Sequence, residues 1–147
     1  MRELYGLTHG ERILHTAHRT TTSSTAFRRL EAAVQNLGIK KSSPTKANTG
    51  YRAGYSKGQE FLILAEKYGG GRIDFRTRTT TGGLGETFDT LIVDEAQEYT
   101  SKQESALTYT VSASKNPQTI LVGTPPTQIS GGDVFARLRE SIIEGKA

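Results

Sequence analysis

Thr90-Leu91-Ile92-Val93-Asp94-Glu95 decides the fold class of this chain. The first four side chains make an unbroken, apolar-leaning and β-branched run, the pattern of a short strand buried on both faces. The run ends directly in two acids. In an open parallel sheet, ligands bind outside the carboxyl ends of the strands, so Asp94 and Glu95 stand where such a sheet places its chemistry. Consecutive residues on an ending strand point to different sides, which allows the two carboxylates different roles. Phosphoryl transfer divides its work in this way: one carboxylate holds Mg²⁺, usually through water, and the other polarises the attacking water. A strand that simply ends in a solvated acidic turn accounts for the same residues without a ligand.

Downstream, Thr119-Ile120-Leu121-Val122 is a second buried-strand pattern, ending at Gly123-Thr124-Pro125-Pro126. Small and hydroxylated residues at a neighbouring strand tip can sense a γ-phosphate; Pro-Pro also ends strands for steric reasons alone. Between the two strands, Ser101-Lys102-Gln103-Glu104 has the capping-box pattern, predicting a helix from there to about Ser114. A final helix capped by Asp133 places Val134, Leu138 and Ile142 on one face.

Upstream, residues 11–17 read as a strand running into a polar loop from His18 to Thr22. A helix follows from Ser23 to Leu37: Phe27, Leu30, Val34 and Leu37 recur at helical steps, Ser23 or Ser24 can cap the start, and Gly38 suits a left-handed end. Residues 40–58 read as a loop, in which Tyr51 and Tyr55 stand among Lys46, Arg52 and Lys57. That mixture can contact a phosphate backbone, and an ordinary surface loop explains it equally well. Strands at 60–65 and 72–77, joined through Gly69-Gly70-Gly71, form a hairpin. The order gives an α/β fold: a mostly parallel sheet with flanking helices and an inserted β-hairpin, in one domain over 1–147.

Composition narrows the classes. A chain of 147 residues supports one core, and 34% apolar residues with 16 glycines leaves generous loops. With no cysteine, disulfides and thiolate metal sites are excluded. His15-x-x-His18 is only a weak hint of metal ligation. No stretch approaches the ~20 apolar residues of a membrane span, and no signal-peptide core follows Met1, so a soluble intracellular protein is expected. The net charge of +4 is compatible with a polyanion partner without being evidence for one; charge alone favours an ordinary solvated surface.

Taken together, these segments resemble a known family. Leu91 to Glu98 looks like the Walker B segment of phage terminase large subunits and of superfamily 2 helicases. Ile120 to Thr127 looks like the terminase coupling motif, where helicases more often have Ser-Ala-Thr. Arg12 to Arg19, followed by a Ser/Thr-capped helix containing Phe27-Arg28-Arg29-Leu30, resembles the strand and helix that follow the phosphate-binding loop in these terminases. The resemblance implies a partial P-loop NTPase fold of the ASCE, RecA-like kind, spanning from after the Walker A loop through the coupling motif. Asp94 would coordinate Mg²⁺ and Glu95 would be the catalytic carboxylate. Gly123 and Thr124 would couple hydrolysis to DNA movement, and Thr16 and His18 would lie near nucleotide or DNA. Implied partners are ATP, double-stranded DNA, portal, small terminase subunit and further large-subunit copies in a ring, in the cytoplasm of the bacterial host, with no membrane. The whole family member packages viral DNA into a procapsid and carries a C-terminal nuclease domain.

The sequence departs from that pattern in three places. It has no Gly-x-x-x-x-Gly-Lys-Ser/Thr, so no nest of backbone amides and lysine holds the β and γ phosphates. It ends soon after the coupling motif. Where many terminases have a trans-acting arginine in the glycine-rich loop, the best match is Leu84, and Arg76 or Arg78 would substitute. Loss of a central strand predicts open sheet edges and self-association. Two other readings stand beside this one: a superfamily 2 helicase fragment, and a non-catalytic DNA- or terminase-binding remnant of a prophage.

Overall fold

The computed structural model describes residues 1–46, 48–78 and 85–146. The chain begins with helix α1 (Arg2–Thr8), strand β1 (Arg12–Ala17) and helix α2 (Thr20–Asn36). Strands β2 (Tyr51–Gly54), β3 (Phe61–Leu64) and β4 (Arg72–Thr77) follow, then β5 (Thr90–Val93), helix α3 (Ser101–Thr108), β6 (Gln118–Leu121) and helix α4 (Val134–Ile143). One six-stranded sheet results, in the order β2-β3-β4-β1-β5-β6. Its β4-β1-β5-β6 portion is parallel, and β2 and β3 join antiparallel beyond β4. The expected α/β architecture with an inserted hairpin is therefore present.

Alternation along the central strands divides the core. Ile13 and Ile92 face one side with Leu7 of α1 and Phe27, Leu30 and Val34 of α2. Leu14, Leu91 and Val93 face the other, with Val111, Tyr99 and Val134. On this second side of β4, fully buried Asp74 accepts hydrogen bonds from Arg72 Nε at 2.8 Å and Arg76 Nη2 at 3.1 Å. Two guanidiniums thus lie over one carboxylate and satisfy a charge that burial would otherwise make costly.

Several boundaries differ from the sequence reading. α1 was not expected, because Arg2–Thr8 is too short for a periodic signal. α2 starts at Thr20, inside the expected polar loop, and Thr100 rather than Ser101 caps α3, with Gln103 completing the box. Asp133 precedes α4 without capping it; its carboxylate accepts instead from the Ser101 backbone N–H, 2.8 Å away, at the start of α3. α3 ends at Thr108 rather than near Ser114. β2 lies inside the stretch read as loop. Gly38 does adopt the left-handed conformation expected after α2, with φ 81°. Leu84 and most of its glycine-rich loop fall outside the described residues. Among the described residues, no helix is long and apolar enough to cross a membrane.

β6 is an edge of the sheet: its Thr119 is exposed, and Val122 just beyond it is 51% exposed. An open parallel edge with apolar flanks is a template for pairing with another chain. We expect concentration-dependent self-association by light scattering, reduced in Thr119→Lys; a monodisperse monomer at every concentration contradicts the expectation.

Candidate active site

The parallel register brings the carboxyl tips of three strands together. Ala17 of β1 is level with Thr77 of β4, and Thr16 is level with Val93 of β5. Asp94 therefore leaves the sheet beside the β1–α2 junction, its backbone N–H donating to Thr16 O at 2.8 Å.

Asp94 is held by neighbours on both oxygens. Oδ1 accepts the Glu95 backbone N–H at 2.8 Å, and Oδ2 lies 3.6 Å from His15 Nε2. That second distance is an ion-pair contact rather than a hydrogen bond. His15 Nδ1 meets Glu3 Oε1 at 2.5 Å, so a buried imidazole of the central strand sits between two carboxylates. Burial opposes its charge, but Asp94 and Glu3 outweigh burial and raise its pKa to about 9. The same imidazolium, against the opposing effect of burial and with help from the Glu95 N–H, holds Asp94 below the ordinary carboxylate range. Asp94 is 28% exposed and lines two clefts, one of about 320 Å³ against Thr22, Thr25 and Arg29 of α2, the other of about 190 Å³ against Met1, Glu3 and Ile120.

Glu95 turns the other way. Its Oε2 accepts the Arg19 backbone N–H at 2.8 Å and its Oε1 accepts Thr22 Oγ1 at 2.9 Å. It thereby supplies the N-terminal cap of α2 that neither Arg19 nor Thr20 provides, with its charge at the positive end of the helix dipole. This explains why α2 begins before Ser23. Glu95 has φ 52° and ψ 48°, a left-handed conformation that costs a non-glycine residue about 1–2 kcal/mol. A short turn of 3₁₀ helix, Ala96–Glu98, follows it.

Gly123 and Thr124, at the tip of β6, touch that turn. The Ala96 N–H donates to Val122 O at 2.9 Å, and Thr124 N–H donates to Gln97 Oε1 at 3.3 Å. A Cβ on Gly123 would stand 2.8 Å from Ala96 N and 2.5 Å from Gln97 Oε1. Thr16 is buried between β1 and β5, with Oγ1 donating to Ile92 O at 3.3 Å. His18 lies half-buried at the start of the β1–α2 junction, its Nδ1 without a hydrogen-bond partner among the described residues. Arg76 is engaged with Asp74, and Arg78 is buried against carbonyls of its own chain, including Asp94 O at 2.6 Å. Glu3, Arg19 and Thr22 carried no signal in the sequence, because their roles depend on what folding brings to them. His15 did carry one, as a lone titratable group in an apolar strand.

Among the described residues, no group of three or more His, Asp or Glu could hold a metal ion by itself. One partly exposed carboxylate between two clefts suits Mg²⁺ nonetheless, because Mg²⁺ takes few protein ligands and completes its shell with water and phosphate oxygens.

A mostly parallel sheet flanked by helices, with an antiparallel hairpin at one edge, is a fold also found in solved proteins. The large terminase of bacteriophage HK97 superposes with a TM-score of 0.72 at 14% identity, over 99% of this chain and 29% of that one. The ATPase domain of the Thermus phage P74-26 large terminase gives 0.51 at 14% identity, over 84% and 52%. The large terminase of a thermophilic bacteriophage, solved with ADP, gives 0.51 at 12% identity, over 77% and 26%. This chain thus spans about a quarter to a half of the proteins whose fold it shares. No protein-family model and no curated protein matches its sequence.

Two predictions follow from this geometry. The His15 pKa is raised above its usual 6.5, so the stabilisation it brings is complete below that value and is lost as pH rises through about 9. Thermal unfolding should show that loss, worth up to about 3 kcal/mol, between pH 7 and 10, and His15→Gln should flatten it. Gly123→Ala should lower stability by about 1–3 kcal/mol and shift the amide resonances of Ala96 and Gln97, since the new methyl group meets the Ala96 backbone nitrogen as well as the Gln97 side chain.

Proposed function

We propose that this chain is part of the ATPase of an ATP-driven motor subunit that packages double-stranded viral DNA into a procapsid. The observation that carries the proposal is the placement of Asp94 and Glu95 at the tip of β5, with the Gly123-Thr124 tip packed on the turn that follows them. Asp94, oriented by His15 and the Glu95 N–H, would hold Mg²⁺ at the clefts it lines. Bound there, Mg²⁺ with ATP would supply charge neutralisation on the phosphates. Glu95 would accept a proton of the attacking water at a carboxylate oxygen; each of its oxygens now receives one hydrogen bond and keeps a free lone pair. Gly123 and Thr124, through Ala96 and Gln97, would transmit the state of that carboxylate to the β6–α4 connection.

The remaining assignments follow from the same reading. Thr16 and His18 would take part as neighbours of Asp94 and of the β1–α2 junction. An arginine from another copy of the subunit would complete the site; Arg76 and Arg78 are already engaged within the chain. Duplex DNA, portal, small terminase subunit and further large-subunit copies would be the partners, in the bacterial host cytoplasm. The 147 residues contain no phosphate-binding loop, so the affinity of this chain alone for ATP should be weak or absent.

The test starts with the coding DNA ahead of Met1. An open frame carrying Gly-x-x-x-x-Gly-Lys-Ser/Thr about 20–50 residues earlier supports the reading. A stop codon directly ahead overturns catalysis and leaves a binding remnant, testable by the salt dependence of duplex DNA binding. In a chain that includes the loop, Glu95→Gln should lower kcat for ATP hydrolysis by about 100-fold or more with KM little changed. Hydrolysis at the unaltered rate in that variant would remove Glu95 from the chemistry.

A further inference from the structure

We infer that Arg78 is the positioning residue of the Asp94–Glu95 turn, acting within its own chain; the inference rests on the phosphoryl-transfer reading of those two acids. Arg78 follows β4 and is 9% exposed. Its backbone N–H donates to Ala17 O at 2.9 Å, and its guanidinium spans to the neighbouring tips. Nη1 donates to Thr16 O at 3.2 Å and to Asp94 O at 2.6 Å, and Nη2 donates to Glu95 O at 3.0 Å. The Tyr99 ring lies 5.5 Å from the guanidinium carbon. One planar group thus ties the ends of β4, β1 and β5.

The two bonds to β5 have a particular consequence. The Asp94 carbonyl belongs to the peptide plane before Glu95, and the Glu95 carbonyl belongs to the plane after it. The rotations relating those planes are the φ and ψ of Glu95. A single planar fork that grips both carbonyls therefore restrains both angles, and with them the direction in which the Glu95 side chain leaves the backbone. Glu95 is one of two non-glycine residues with positive φ among those described, so its conformation needs such a restraint. Burying a cation to donate to backbone carbonyls is otherwise a costly arrangement, and Nε is buried without a hydrogen-bond partner among the described residues. A lysine would keep the charge but present a point donor in place of the fork.

Arg78→Lys in the 147-residue chain is the test, because it separates geometry from charge. Two readouts apply: the backbone couplings of Glu95 with exchange of the Ala96 amide, and the Mn²⁺ concentration that broadens the Asp94 and Glu95 resonances. We expect Arg78→Lys to move Glu95 out of the left-handed region, to speed Ala96 exchange at least tenfold, and to weaken Mn²⁺ binding about 10–100-fold. Protection of Val34 in α2 and Leu62 in β3 should be retained. Arg78→Met should behave like Arg78→Lys. Wild-type behaviour in Arg78→Lys, tighter Mn²⁺ binding in Arg78→Met, or equal loss of protection across α2, β3 and Ala96 would each overturn the inference. If Mn²⁺ leaves the unaltered chain unaffected, the metal reading fails, and the Glu95 couplings alone decide for or against Arg78.

Discussion

β1 is buried from Ile13 to Ala17, so its amides and carbonyls have no water to turn to and must be satisfied by β4 on one edge and β5 on the other. Parallel pairing on both edges sets the three strands in a common register, and the tips end at one level. The whole site depends on that alignment. The acids that end β5, the arginine that follows β4 and the first turn of α2 are distant in the chain. They meet because three short strands run the same way and stop together.

Charges gathered at those tips are matched one by one. His15 stands between Glu3 and Asp94, Glu95 sits on the amino end of α2, and Arg78 rests on carbonyl oxygens. Asp74 and its two arginines repeat the arrangement on the other side of the sheet. Such matching makes each charge affordable only in company. Removing one member strands its partner in a poorly solvated place, which costs more than the pair contributes. Substitutions among these residues therefore act on stability.

How much of this was legible in the sequence depended on the range of the interactions involved. β1, β5 and β6 could be read because apolar runs such as Leu91-Ile92-Val93 state their burial locally. The hairpin of β3 and β4 was announced by its glycines. What escaped was decided at a distance. Thr20, Thr21 and Thr22 have weak helical propensity, and the support that the Glu95 carboxylate gives to that end of the helix comes from a distant element. Asp133 looks like the cap of the helix that follows it, yet it serves Ser101 in another element. β2 owes its existence to an edge of β3 that no local pattern reveals. At the site, Asp94 and Glu95 were visible as a motif, whereas the contacts of His15 and Arg78 with them came from the register of the sheet, and that of Glu3 from the packing of α1.

The central position of β1 also orders events in time. Ile13 needs Ile73 on one side and Thr90 on the other, so during synthesis this apolar strand emerges long before either neighbour exists. At about 5–20 residues per second, several seconds separate the appearance of β1 from that of β5. Until β4 emerges, both edges of β1 are open while the chain is still tethered to the ribosome. The strand that later organises the site is the one most in need of shelter at birth.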